Sequence, residues 1–393
     1  MKDRARRVVQ DQVVGIAAQV AFGAPALVAS LVLARFAEIR LVADLAVAFG
    51  LTSTVFVAAS FNLAQYLALW GERGFAIPVF WLNRLLSSLA GAVIALALLA
   101  WHGTDLHIAM LAVLLKSADA SADLSFGLRL LHVAPGESMR GLLRWSALRL
   151  TIYCAGISFG LWYGMSAIEA LLLGGVLQFA VMMPWRTVFR ARIGSSVVRS
   201  AVSLGRGAAH LAVAGTASGL LVTTPRLLAS SVVPAAELGY YGTSFIASTL
   251  IAMSFNVAWY RLAAATRDSD PLGAIRSFLL EAVVLSAFLV LGLWLSVPLV
   301  AVVFDVPGRE FGRVFVSIGS VLILLYFAMA LANLLKTARL RLLEATAYVV
   351  TAAALYGAAM LTHSLMIGIL VGAAVLVGFV IGGVRNVRRI IVD

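Results

Sequence analysis

Long apolar blocks separated by short polar breaks fill this sequence from end to end. They fall near residues 13–34, 41–63, 75–101, 106–128, 146–164, 166–189, 208–231, 238–261, 277–304, 312–335, 344–362 and 366–384. An α-helix rises 1.5 Å per residue, so about 20 residues cross the hydrocarbon core of a bilayer. The pattern therefore predicts an all-α polytopic membrane protein of about 12 transmembrane helices. The first block runs from Val13 to Ala34 behind the basic start MKDRARRVVQ without a small-residue cleavage site, and reads as a retained span. The external breaks are short, so no extracytoplasmic domain is expected.

One block breaks the pattern. Leu106–Leu128 carries Lys116, Asp119 and Asp123, at i, i+3 and i+7. On a helix those residues share one narrow face. Each Leu, Ile, Val or Phe favours insertion by roughly 0.3 to 0.6 kcal/mol, whereas an ionised residue near the centre costs about 2.5 to 3.5. The sum is close to zero or unfavourable. That face needs a protein interior or a water-filled cavity.

Composition agrees with the class. Hydrophobic residues make up 62% of the chain and charged residues 12%, with a mean hydropathy of +1.00. A soluble domain carries about 25% charged residues. The lone cysteine, Cys154, excludes an intramolecular disulfide and a Cys-rich metal site.

The net charge of +12 raises the question of nucleic acid, and the placement of the charges answers it. With the N-terminus cytoplasmic, 22 of the 30 Lys and Arg residues fall in cytoplasmic segments, from Lys2, Arg4, Arg6 and Arg7 to Arg385, Arg388 and Arg389. Arg35, Arg40, Arg309 and Arg313 lie outside, and Arg84, Lys116, Arg149 and Arg226 lie within spans. This is the positive-inside distribution, with both termini cytoplasmic. The charge orients the chain and contacts anionic membrane lipids, and gives no support for nucleic acid. If Leu106–Leu128 did not cross, the basic N-terminus would lie opposite every later basic loop, so the charged block has to be a span.

The motif S-F-N-x-A-x-Y occurs at Ser60–Tyr66 and again 194 residues later at Ser254–Tyr260. Six spans separate the copies, which predicts two parallel-repeat six-helix lobes, residues 1–195 and 196–393, with a site near their interface. Glu137–Arg149 pairs Arg140 and Arg144 at i, i+4 beside Trp145 and reads as a cytoplasmic interfacial helix leading into the fifth span.

Ionisable residues inside spans are functional candidates. Arg84, Lys116 and Arg226 offer cations at several depths, as an anionic substrate such as a lipid diphosphate needs. Asp119, Asp123 and Asp44 are the candidates for coupling or charge balance. The same residues also have a structural reading, as ion pairs that hold the bundle together. Asp44, Arg149 and Glu281, near span ends, are expected to reach the interface. Asn62 and Asn256 read as cavity polar or gating residues, or as interhelical hydrogen bonds. No His cluster has metal spacing, no cofactor is expected, and no Walker A or nucleophile motif is present.

Three stretches carry a resemblance. They are SFNLAQYLALWGERGFAIPVFWLNRLLSSL, LLKSADASADLSFGLRLLHVAPGESMRGLLRWSALRL, and PRLLASSVVPAAELGYYGTSFIAS with its Glu237–Tyr241 turn. In order and spacing they resemble the polysaccharide flippases of the multidrug/oligosaccharidyl-lipid/polysaccharide exporter superfamily. That family often has an acidic residue before the arginine matching Arg226, where this chain has Pro225. The resemblance implies a non-enzymatic transporter of the bacterial inner membrane. It would flip an undecaprenyl-diphosphate-linked oligosaccharide by alternating access, for cell-surface polysaccharide biosynthesis. A glycan polymerase and glycosyltransferases of the same pathway are the implied partners. The competing expectations are a drug or cation/proton antiporter of the same superfamily, an integral-membrane glycan polymerase or glycosyltransferase, and a lipid-binding scaffold.

Overall fold

The structure is a computed structural model that describes residues 2–59, 63, 66–67, 75–132, 135–183, 195–234, 237–248, 255, 271–304, 308–337 and 341–392. These form α1 (Lys2–Phe36), α2 (Ile39–Ala59), α3 (Ile77–Trp101), α4 (Leu106–His132), α5 (Pro135–Trp162), α6 (Ala167–Met182), α7 (Ser195–Val232), α8 (residues 238–248), α9 (Pro271–Phe304), α10 (Gly308–Thr337), α11 (Arg341–Thr362) and α12 (Leu365–Val392). Among the described residues each apolar block is taken up by one helix, in order. Most of the second half of the eighth block lies outside the described residues. Eight of these helices hold a stretch long and apolar enough to cross a membrane. The two that carry most of the intramembrane charge, α4 and α5, are not in that set.

Local chemistry explains the helix ends. Helices α3 and α5 both stop at Trp-x-Gly, where Gly103 (φ 76°) and Gly164 (φ 78°) take the left-handed conformation that closes a helix C-terminus. Trp101 and Trp162 beside them are 87% and 81% exposed, as aromatic residues in a membrane interface belt would be. Helix α6 opens on a capping box in which Ser166 and Glu169 bond each other's backbone N–H.

The chain divides into two compact units, Met1–Ala29 with Leu51–Thr216, and Ser30–Gly50 with Ala217–Asp393. In the first, α4 packs against α3, α5 and α6, and α5 pairs with α6. In the second, α10 packs against α9, α11 and α12, and α11 pairs with α12. The two sets of neighbours coincide when every helix is advanced by six. This is the architecture of a six-helix repeat. It supports the repeat independently of the S-F-N motif, most of which lies outside the described residues. The central helices differ in chemistry. Helix α10 has no ionisable side chain other than Tyr326 between Arg313 and Lys336, whereas α4 carries Lys116, Asp119 and Asp123.

Small residues set the closest approaches. Helix α5 carries Gly156-x-x-x-Gly160 and α6 carries Ala170-x-x-x-Gly174, the spacing that lets two membrane helices touch along their backbones. A Cβ on Gly156 would stand 2.8 Å from the Gly174 Cα, and one on Gly160 2.9 Å from the Ala170 Cα. In the second unit, Gly242 on α8 lies equally tight on α2, where a Cβ would meet the Ala43 Cα at 2.8 Å. Apolar cores fill the rest. One joins Phe80, Leu124, Leu204 and Leu211 in the first unit, and another joins Phe311, Phe315, Leu293 and Ile323 in the second.

Candidate functional site

The charged face of α4 meets two different environments. At Asp119 the contacts are close. Lys116 Nζ lies 3.0 Å from Asp119 Oδ2 on the same helix, and Arg149 Nη2 of α5 lies 2.6 Å from Oδ1. Arg149 is 1% exposed and engages further groups. Its Nε donates to Gln178 Oε1 on α6 at 2.9 Å, and its Nη1 donates to the Phe22 carbonyl on α1 at 3.2 Å. The guanidinium also lies over the Phe22 ring, 5.4 Å from the centroid. A single side chain thus joins α1, α4, α5 and α6.

The α5–α6 contact makes this possible. Gly174 stands one turn before Gln178, and Gly156 two turns after Arg149, so the backbone approach holds the amide beside the guanidinium. Ser146 Oγ, Tyr153 Oη and Gln178 Nε2 around Arg149 are buried without a hydrogen-bond partner among the described residues. Replacing Gln178 by Leu leaves the shape and removes the acceptor for a charged donor. The expected loss is about 1.5 to 3 kcal/mol, checked by thermal melting of the purified protein. An unchanged melting temperature would show that the Gln178 bond contributes nothing.

One turn toward the C-terminus of α4 the contacts loosen. Arg84 on α3 is 2% exposed, and its Nη2 lies 3.8 Å from Asp123 Oδ2, an ion pair beyond hydrogen-bond reach. Arg84 Nε and Nη2 have no hydrogen-bond partner among the described residues. Asp123 keeps 38% of its side chain accessible. Flanking residues hold α3 in place: Asn83 Nδ2 donates to the Ala201 carbonyl of α7 at 3.1 Å, and Ser87 Oγ donates to the Arg84 carbonyl at 3.0 Å.

The remaining candidates belong to the second unit or lie outside the described residues. Arg226 on α7 is buried in the second unit with Thr223 and Tyr326. It lies across Gly50 of α2, where a Cβ would stand 2.9 Å from Nη1. Asp44 is half-buried on α2 in the same unit. Asn62 and Asn256 lie outside the described residues. The first unit therefore brings together Arg84 with Asp123, and Lys116 with Asp119.

Arg149 corrects the sequence expectation. A place at the interface was expected because hydropathy starts its span near residue 146. The interfacial segment and the span are one continuous helix, Pro135–Trp162, and Arg149 sits at its midpoint, buried. The signal available was the unbroken helical pattern upstream of the apolar block. Glu344, in the first turn of α11, is a second buried ionisable residue that the hydropathy boundary conceals, and it stands beside Tyr348. Among the described residues no group of three or more His, Cys, Asp or Glu side chains is placed to hold a metal ion.

No protein-family model matches the sequence, and no curated protein is significantly similar to it. Solved structures are similar across the whole chain. The MATE transporter VcmN of Vibrio cholerae, in the form of a point mutant, shares 12% identity with a TM-score of 0.62, over 99% of this chain and 98% of its own. A MATE protein in complex with MaD5 shares 14% at 0.59, over 98% and 96%. An inward-facing multidrug resistance MATE family transporter of the MOP superfamily shares 13% at 0.55, over 96% and 95%. The chain has the multi-pass, all-helical fold of the MATE transporters.

Proposed function

We propose that this protein is a non-enzymatic membrane transporter that moves an anionic lipid-linked oligosaccharide, carried on a polyprenyl diphosphate such as undecaprenyl diphosphate, across the bacterial inner membrane. The observation that carries the reading is Arg84, a guanidinium only 2% exposed, with Nε and Nη2 lacking a hydrogen-bond partner among the described residues. A cation in that condition is suited to an arriving anion. The charges that meet between α3, α4 and α5 point the same way, since Arg84, Lys116 and Arg149 outnumber Asp119 and Asp123. The fold supports movement by alternating access, because one structural neighbour is described as inward-facing. The positive-inside distribution supports cytoplasmic termini and contact with anionic lipids.

Replacing Arg84 or Lys116 by Ala, with insertion preserved, is expected to abolish surface glycan export and leave lipid-linked precursor on the inner leaflet. Normal export in both variants would sink the reading. Lys116 is engaged with Asp119, so its loss also leaves that carboxylate to Arg149 alone. The double variant Lys116→Ala, Asp119→Asn separates a charge-balance defect from a substrate defect.

A second reading is a drug or cation/proton antiporter. It is favoured by the accessible carboxylate of Asp123 and by the neighbour described as a multidrug resistance transporter. Under that reading Asp123→Asn abolishes drug resistance in an expressing strain and Arg84→Ala does not.

A further inference from the structure

We propose that Asp123 is a displaceable counter-ion, which stands beside Arg84 until a diphosphate ester takes the guanidinium. The proposal rests on the anionic-substrate reading above, and adds a residue that sets how strongly and how selectively the site binds.

Nε and Nη2 of an arginine lie on one edge of the guanidinium and donate in parallel, so together they grip two oxygens of a phosphate or carboxylate. In Arg84 these two nitrogens are buried and have no hydrogen-bond partner among the described residues. The nearest carboxylate oxygen, Asp123 Oδ2, stands 3.8 Å from Nη2. It balances the charge without occupying the donors. Burial makes that state costly for a guanidinium, so an acceptor that reaches both nitrogens replaces a poor interaction with a good one.

The neighbouring acid provides the contrast. Asp119 has both oxygens engaged, at 3.0 Å by Lys116 and 2.6 Å by Arg149, and its side chain is 12% accessible. Displacing it would strand two cations. Among the described residues Asp123 pairs with Arg84 alone and is already 38% accessible, so it turns away from Arg84 with less loss. Of two carboxylates one turn apart on α4, one is fixed and the other is releasable.

The charge of the placeholder also sets a threshold. A sugar carboxylate carries the same single charge as Asp123 and gains little by replacing it. A diphosphate diester carries two charges and presents oxygens in pairs, which fits the donor edge. Asp123 therefore discriminates in favour of diphosphates over singly charged acids.

The test is binding to the full-length protein in phosphatidylcholine nanodiscs, measured by calorimetry with inorganic pyrophosphate and with farnesyl diphosphate. Asp123→Asn removes the competitor and is expected to tighten farnesyl diphosphate binding about tenfold. Asp123→Glu is one methylene longer, closes the gap to Arg84, and is expected to weaken it. Arg84→Gln is expected to eliminate binding in either background. Affinities equal to wild type in both Asp123 variants, with Arg84→Gln still deficient, would overturn the counter-ion role and leave the anionic reading standing. Absence of binding in wild type and Asp123→Asn alike would overturn both. Pyrophosphate binding without farnesyl diphosphate binding would overturn the lipid ester as ligand. If Asp123→Asn does not fold, Asp123→Glu decides alone.

Discussion

Arg149→Ala is expected to lower the thermal stability of the purified protein more than any other single charge removal in the first unit. The guanidinium engages Asp119, Gln178 and the Phe22 carbonyl, on three different helices. Removing one partner of a buried ion pair costs about 3 to 5 kcal/mol, because the other charge stays buried without full compensation. Lys116 remains 3.0 Å from Asp119 and holds the loss toward the lower end. Pro25 adds to the sensitivity of α1. It lacks the N–H that would bond the Ala21 carbonyl, so the helix ladder is already interrupted next to Phe22. Arg149→Lys keeps the charge but not the planar fork, and is expected to fall between wild type and Ala. A melting temperature for Arg149→Ala close to wild type would show that the four helices are held by apolar packing alone.

Gly174→Val is expected to disrupt the same region by a different physical route. Even a single Cβ there would stand 2.7 Å from the Tyr153 carbonyl oxygen and 2.9 Å from Tyr153 Cδ2. The first contact is backbone, so no side-chain rotation relieves it. Helices α5 and α6 must separate, at the upper end of the usual cost of overpacking, about 3 kcal/mol or more. Separation also draws Gln178 away from Arg149, so Gly174→Val and Gln178→Leu are expected to be less than additive in a double-mutant cycle. Full additivity would mean that the backbone contact and the Arg149–Gln178 bond are independent. A Cβ on Gly175, one residue on, meets only Leu111 and Leu114 side chains, the nearest at 3.5 Å, so Gly175→Ala is the matched control with little expected effect.

Much of the frame was legible beforehand, because hydropathy and charge act along the chain. A bilayer demands runs of apolar residues closed by polar ends, so the blocks mark the helices in order. The charge count required Leu106–Leu128 to be a span, and it is the central helix of the first unit. Boundaries were less legible. Hydropathy reports where a helix meets lipid and not where the helix starts, so it put Arg149 at an interface when the residue sits at the middle of a 28-residue helix. The same limit concealed Glu344 at the first turn of α11.

The sequence alone determined the class of the molecule, the order of its helices, and the presence of ionisable residues that lipid does not tolerate. It placed Lys116, Asp119 and Asp123 on one face, because that follows from helical periodicity. It did not decide what each would meet, since partners come from other helices at separations that no local pattern encodes. Only the tertiary structure brings Arg149 to Asp119 and Arg84 toward Asp123, through the close glycine contact of α5 with α6 and the packing of α3 on α4. Those two approaches give neighbouring carboxylates on one helix opposite roles. Asp119 is fixed by two close cations, and Asp123 is left accessible beside a guanidinium it does not hydrogen-bond.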